Sequence, residues 1–475
     1  MKINVFIRKL LLYVPVKMMP AFSGIFLIFF LYKCFPEGQY VSYSVSLFCS
    51  LIAAQLCAGW VGNSFIYYYT GVADKRLFAS NCIAVILIIA PIASLLAAMS
   101  SVFFIAADYV FGCVWLLCFS QILFSFLSSV SQAGFFVKQQ LMAVLLQAVV
   151  QIGLILIVFT FVAADFRYAL LSLSVGYFAA AIVMLVATLR ALGVSNPFSD
   201  SGLFKSNFKL IYEYGAALSP WMLGMLVMAG ADRLVIGYFH IDHGDSYLSL
   251  KDLFVGAAGL LSMPLLMMVH PFIIKRFREG RFAVRMIESS SSFLIVAFSL
   301  LWCALYFVGF DLFERITGKV IAAPKEVVLF SFLGVFMNSA AVYFQKRLEV
   351  HRKMKLLAYL SIGSALISIL FAWVGGRYWG LFGVSLGVLL AQVIYFASVT
   401  VSLLKRFDLY HGFGRAILAS ALALAAGYLF SIGLASVASL VWWEKSVFWV
   451  LGFAIVSLIS LWKGVGWSEF MQAKV

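Results

Sequence analysis

The sequence predicts an all-α integral membrane protein of about fourteen transmembrane helices, and three observations predict it. First, 64% of the 475 residues are hydrophobic and 11% are charged, whereas soluble domains carry roughly a quarter charged residues. Second, the apolar residues gather into runs of about 20, the length a helix needs to cross hydrocarbon. Third, Lys and Arg alternate in density between successive gaps, with a bias of about three to one towards one side. The formal charge of +15 would suggest nucleic acid as a partner of a soluble protein. Here the basic residues sit in short gaps between apolar runs, where membrane topology accounts for them, and no nucleic-acid-binding motif is present.

In chain order the runs are 11–34, 41–69, 80–107, 110–136, 139–163, 168–190, 211–239, 247–274, 287–309, 325–345, 356–374, 380–404, 415–437 and 447–462. The basic start MKINVFIRKLLLYVPVK continues apolar to Leu31 without a small-residue cleavage site, so it reads as a retained first helix and not as a removed signal. With the N-terminus inside, the inner gaps hold Arg8, Lys9, Lys75, Arg76, Lys205, Lys209, Lys275, Arg276, Lys353, Lys355, Lys405 and Arg406 among others. The outer gaps hold fewer, including Lys33, Arg167, Lys251 and Arg315. An error of one helix would scramble this alternation, and an even number of spans puts both termini in the cytoplasm.

The longest inner gap, 191–210, contains Pro197 with several Ser and Gly. It reads as a cytoplasmic linker between two six-helix bundles, 1–190 and 211–404, leaving 405–475 for two further helices and a tail. A short internal echo supports two pseudo-symmetric halves. Pro20 closes V-P-V-K-M-M-P in the first run and Pro220 closes Y-G-A-A-L-S-P in the seventh; G-Q-Y-V-S (38–42) follows the first and G-D-S-Y-L-S (244–249) follows the seventh. An even number of helices per half makes such repeats parallel. The last two runs carry no ionisable group in their interiors, and Ala416, Ala419, Ala423 and Gly427 suit close helix packing. They read as a peripheral pair.

The nucleotide-binding and zinc-protease signatures are absent: the sequence has no G-x-x-x-x-G-K-[ST] and no H-E-x-x-H. No outer gap is long enough to house a catalytic domain, so the chain reads as a non-enzyme. The seven cysteines form no C-x-x-C pair and read as small buried hydrophobes. His240 and His243 make an H-x-x-H in an outer turn, which reads as a solvated turn over a metal site.

What remains is polar residues inside apolar runs. Asp232 and Arg233 lie about two turns before the seventh run ends, where charge normally faces a bundle interior, a partner or a water-filled path. Being adjacent, they diverge by about 100° around the helix and need not pair with each other. Two readings fit Lys17, between Pro15 and Pro20: its stem snorkels to inner headgroups, or it lines a cavity and meets an anionic substrate. Lys251 and Asp252 open the eighth run, either interfacial or part of the Asp232 region. Gln140, Gln147 and Gln151 share one face of the fifth run. Gln55 and Asn63 lie in the second, Gln121 in the fourth and Asn338 in the tenth. Amides suit sugar hydroxyls, and they suit interhelical hydrogen bonds equally well. Trp60, Trp115, Trp221 and Trp302 lie deep enough to stack on sugar rings, while Tyr67 to Tyr69, Trp379, Trp442, Trp443, Trp462 and Trp467 sit at run ends as interfacial belts.

Two stretches carry a resemblance. F-P-E-G-Q-Y-V-S-Y (35–43), with Val41 where relatives carry Gly, and D-R-L-V-I-G-Y-F (232–239) are similar to motifs of the MOP superfamily, specifically polysaccharide flippases of the O-antigen (Wzx) type. The resemblance implies a MATE/MOP-like pair of bundles working by alternating access around a cationic cavity. It implies translocation of undecaprenyl-pyrophosphate-linked oligosaccharide from the cytoplasmic to the periplasmic leaflet of the bacterial inner membrane. Its implied partners are that lipid-linked substrate, the bilayer, a polysaccharide polymerase and a chain-length regulator, with no nucleic acid. No cofactor or metal is implied; direction comes from a proton or sodium gradient or from consumption of the product outside. The cavity candidates are Lys17, Gln55, Asn63, Gln147, Gln151, Asp232, Arg233, Lys251 and Asn338. The rival readings are a cation-coupled multidrug exporter of the same superfamily and a membrane polysaccharide polymerase or glycosyltransferase.

Overall fold

The computed structural model describes residues 3–69, 71–105, 109–134, 136–193, 204–278, 304–351 and 353–404, parts of 294–302, and Tyr428 and Val447. These are helical apart from turns, with no strand among them. The elements are α1 (Ile3–Cys34), α2 (Gln39–Tyr68), α3 (Lys75–Val102), α4 (Val110–Ala133), α5 (Val137–Phe161), α6 (Phe166–Leu192), α7 (Phe204–Phe239), α8 (Gly244–Arg278), α9 (Phe310–Thr317), α10 (Lys325–Phe344), α11 (Lys346–Val350) and α12 (Met354–Leu404). Among the described residues, eight helices are long and apolar enough to cross a membrane. The protein is a multi-pass α-helical membrane protein. The expected spans 415–437 and 447–462 lie outside the described residues, apart from Tyr428 and Val447.

The ends of these helices have local causes. Asp74 caps α3, its carboxylate accepting from Leu77 N at 2.9 Å, and Asp165 caps α6, accepting from Arg167 N at 2.8 Å. Gly38 opens α2 at φ 81°, and Gly193 closes α6 at φ 65°, conformations that cost glycine little. α7 begins at Phe204, inside the stretch read as linker, because a helix can run on through polar residues such as Lys205, Asn207 and Lys209 without needing hydrocarbon around it. An exposed pair, Lys209 and Glu213, sits at i,i+4 there at 3.9 Å. The two expected runs 356–374 and 380–404 form one helical run broken at Gly380, whose φ of 57° and ψ of −136° are non-helical. The limbs fold back on one another through glycine: a Cβ on Gly383 would stand 2.2 Å from the Gly375 carbonyl oxygen. Small residues of this kind let transmembrane backbones approach closely.

Packing divides the chain into two compact units, Met1–Ser249 with Met354–Val388, and Leu250–Lys353 with Leu389–Val475. In the first unit, α4 packs on α2, α3 and α6, α5 lies between α1 and α6, and α2 runs along α7. Its core includes Val61, Phe65, Phe78, Val114 and Phe126, all buried. Phe65 stacks on Tyr69 at 4.8 Å and on Phe78 at 5.6 Å. In the second unit, Phe332 meets Phe254 at 5.0 Å, Tyr343 donates to the Ser262 carbonyl at 2.8 Å, and Tyr395 donates to Gln345 Oε1 at 2.6 Å. Large apolar side chains such as Leu96, Val149 and Leu370 remain exposed, as helix faces turned towards lipid should be.

Candidate functional site

The α1–α2 and α7–α8 turns meet at one end of the first unit. Asp245, in the first turn of α8, accepts hydrogen bonds from Gly38 N and from Val41 N, the latter at 2.7 Å. Its carboxylate thus caps the start of α2, where unpaired N–H groups and the helix dipole favour an anion. Gln39 Oε1 accepts from Phe166 N at 3.0 Å, tying in the start of α6. His240 and His243 both take left-handed φ values, 48° and 62°, and so shape the α7–α8 turn. Neither Gly237 nor Gly244 has room for a side chain: a Cβ would stand 2.9 Å from the Phe104 carbonyl oxygen and 2.6 Å from Ile236 Cγ2, respectively.

Asp232 and Arg233 diverge as their spacing requires. Asp232 is fully buried and accepts from the Tyr247 hydroxyl at 2.9 Å through Oδ2, while its Oδ1 takes Arg233 N at 3.0 Å. Arg233, half-buried, donates from Nε to Ser44 Oγ at 3.0 Å, and its guanidinium carbon lies 5.6 Å from the Phe48 ring centroid. A charge held this way is compensated by dipoles and a π face. The second stretch that resembles a flippase motif, 232–239, therefore packs on Ser44, Val45 and Phe48, the residues of α2 that directly follow the first.

Further along the same helix pair the chemistry changes. The middle of α2 is a π-helical turn, Gln55–Gly59. Gln55 Nε2 and Asn63 Nδ2 both reach Met222 Sδ, at 3.4 and 3.3 Å. Ser64 Oγ donates to the Ile211 carbonyl at 2.8 Å. Trp60 lies edge-to-face with Phe208 and Tyr212, each at 6.4 Å.

The other sequence candidates fall elsewhere. Gln147 donates to Gln151 Oε1 at 3.4 Å, and Gln151 donates to the Leu173 carbonyl at 3.1 Å. Both are buried, and together they tie α5 to α6. Gln140 donates to Ser128 Oγ at 2.7 Å, and Ser50 donates to Gln121 Oε1. Lys251 is fully buried and, like Asn338, belongs to the second unit. Asn338 Oδ1 is buried and accepts no hydrogen bond. Lys17 lies on α1, and its side chain is outside the described atoms.

Sequence reasoning passed over Ser44, Tyr247, Asp245, Met222 and Gln392. Only Asp245 and Tyr247 had a signal, their place in the second copy of the echo, G-D-S-Y-L-S (244–249). Gln392 is buried against Gly334, with neither amide atom paired.

No protein-family model matches the chain, and no curated protein matches it. Solved structures do. The lipid II flippase MurJ, in an inward closed conformation, aligns at a TM-score of 0.70 and 13% identity, covering 95% of this chain and 97% of that one. The eukaryotic MATE transporter AtDTX14 aligns at 0.53 and 14%, covering 88% and 99%. An inward-facing multidrug resistance MATE family transporter of the MOP superfamily aligns at 0.50 and 16%, covering 89% and 96%. At these identities the likeness is one of fold, and the chain has the helical fold that these transporters share.

Proposed function

We propose that the protein is a flippase that carries undecaprenyl-pyrophosphate-linked oligosaccharide, the repeat unit of an O-antigen or related surface polysaccharide, from the cytoplasmic to the periplasmic leaflet of the bacterial inner membrane. The observation that carries this reading is the likeness to a lipid II flippase over 95% of the chain, together with the two flippase-like stretches in the sequence, the second of which packs on the helix that follows the first. A pyrophosphate and hydrophilic sugars cannot cross hydrocarbon unaided, so the protein must offer them a polar path with positive charge while the polyprenyl tail stays in lipid. The halves 1–190 and 211–404, joined through 191–210, alternate access; 405–475 stays peripheral, and both termini are cytoplasmic. Lys17 and Arg233, towards opposite ends of the path, meet the pyrophosphate on loading and on release. Gln55, Asn63, Gln147, Gln151, Lys251 and Asn338 supply polar lining, and Asp232 balances Arg233 or couples transport to a proton or sodium gradient. A polysaccharide polymerase and a chain-length regulator act on the delivered units.

A deletion strain tests the reading. Loss of a flippase leaves single lipid-linked units on the inner leaflet; loss of a polymerase leaves them outside. In complementation, Lys17→Ala and Arg233→Ala should each reduce flipping at normal protein abundance, and Lys17→Arg should retain more activity than Lys17→Gln. The likeness to MATE transporters favours a second reading, a cation-coupled multidrug exporter. Under that reading the deletion leaves lipid-linked units unchanged and raises sensitivity to drugs.

A further inference from the structure

The middle of the α2–α7 pair holds a polar site that neither flippase-like stretch contributes to. It is built on the π-helical turn Gln55–Gly59, a rare helical form that often marks functional positions. The Gln55 amide folds over Gly59, where a Cβ would stand 2.1 Å from Nε2, so the glycine is what lets the amide lie there. One turn beyond the π segment, Asn63 Nδ2 donates to the Gly59 carbonyl at 2.7 Å and also to Met222 Sδ. Two half-buried primary amides thus direct N–H donors onto one thioether sulfur, which is a weak acceptor. A hydroxyl oxygen is a better one, so exchanging sulfur for hydroxyl is favourable. Trp60 lies between the two amides in sequence, half-buried against Phe208 and Tyr212. Pro220 in α7 has no N–H, which leaves the Ala216 carbonyl without its helical donor and adds an acceptor a little under two turns before Met222.

None of Gln55, Trp60, Asn63 and Met222 is ionisable. The set offers amide donors and acceptors, a π surface and no charge, which suits neither a pyrophosphate nor a cation. It suits a neutral ring bearing hydroxyls. We infer that Gln55, Asn63 and Trp60 form a saccharide subsite in which a pyranose hydroxyl displaces the Met222 sulfur from the two amides. This rests on the flippase reading and names the part of the substrate that this segment recognises.

The test measures binding to the full-length protein in lipid nanodiscs. Its two probes are undecaprenyl pyrophosphate and the same lipid carrying a terminal N-acetylglucosamine. The wild type should bind the glycosylated probe about ten-fold more tightly, the worth of two neutral hydrogen bonds. The Gln55→Leu/Asn63→Leu double variant should lose that preference while keeping its affinity for the bare lipid. Should the double variant fail to fold, Gly59→Ala, which displaces only the Gln55 amide, should lose part of the preference. A wild type without preference, or variants that keep it in full, would overturn the subsite and leave the flippase reading standing. A wild type that binds neither probe would overturn both.

Discussion

Two stretches of the α2–α7 pair are held by opposite chemistry, one at the α7–α8 turn, where α8 joins in, the other from the middle of the pair towards the start of α7. At the α7–α8 turn the contacts are made by charge: Asp232 to Tyr247, Arg233 to Ser44, and Asp245 to the start of α2. Towards the start of α7 they are made by sulfur, hydroxyl and aromatic edges: Gln55 and Asn63 on Met222, Ser64 on Ile211, Trp60 against Phe208 and Tyr212. Groups of the first kind are expensive to separate once buried, because each leaves a charge or an orphaned N–H behind. Those of the second kind can be separated cheaply. A helix pair with this arrangement has a firm joint at one place and a yielding one at the other.

Breaking the firm joint should have the largest effect. Asp232→Ala leaves the Tyr247 hydroxyl without its buried acceptor and removes the charge beside Arg233, which should cost about 3 kcal/mol of stability. Thermal unfolding in detergent, followed by loss of the monodisperse peak, measures it. Asp232→Asn also removes the charge but keeps an acceptor for Tyr247, so the loss it shares with Asp232→Ala belongs to the charge and the rest to the hydrogen bond; an Asp232→Asn variant as stable as the wild type would remove the charge from the account. Asp245→Ala comes next, at about 1–2 kcal/mol, because it uncaps α2. It should also expose a cysteine placed at Ser42 to a membrane-impermeant thiol reagent added from outside.

A contrast between two buried amides is smaller. Gln151 makes an interhelical hydrogen bond, and such bonds in membranes are worth about 0.6 kcal/mol on average, so Gln151→Leu should destabilise by roughly that. Gln392 is as deeply buried with both amide atoms unpaired, so Gln392→Leu should be neutral or stabilising. Acid should act through Asp165, the capping residue of α6. The side-chain hydrogen bond from Arg167 holds its carboxyl below the usual carboxylate range. A depressed folded-state value means stability that is present above the unfolded value of about 4 and is lost as pH falls below it. Arg167 is 37% exposed, so solvent screens the pair and the effect should stay within about 0.5 kcal/mol. Melting temperatures of the wild type and Asp165→Asn should differ at neutral pH and converge in acid. At the yielding joint, Met222→Leu keeps the packing volume and should fall within about 0.5 kcal/mol of the wild type, the smallest change of the series.

Much of the fold was legible because hydrocarbon imposes one length and one composition on every span. Runs such as 110–136 and 325–345 coincide with α4 and α10 to within a few residues. The starts of α1 and α7 were not, since Arg8 and Lys9 in the one and Lys205, Asn207 and Lys209 in the other interrupt the apolar run without ending the helix, and hydropathy sees only the apolar part. The break at Gly380 was legible as a gap between runs. Its geometry, a glycine at φ 57° bringing Gly375 onto Gly383, depends on tertiary packing. At the site, adjacency on a helix told correctly that Asp232 and Arg233 part ways. Their partners were hidden, Tyr247 despite its place in the echo, because Ser44 and Tyr247 are ordinary hydroxyl residues whose role comes from the meeting of two turns. The amides divide similarly: nothing in the sequence separates Gln151, bonded to α6, from Gln55, resting on a methionine.

The most direct test of the transport account uses proteoliposomes holding a fluorescent undecaprenyl-pyrophosphate-linked saccharide and a membrane-impermeant quencher added outside. With the wild type present, quenching should proceed beyond the outer-leaflet fraction seen in protein-free vesicles, and Arg233→Ala should slow it at equal protein density. Quenching that stops at the protein-free level with correctly folded wild-type protein would contradict the account.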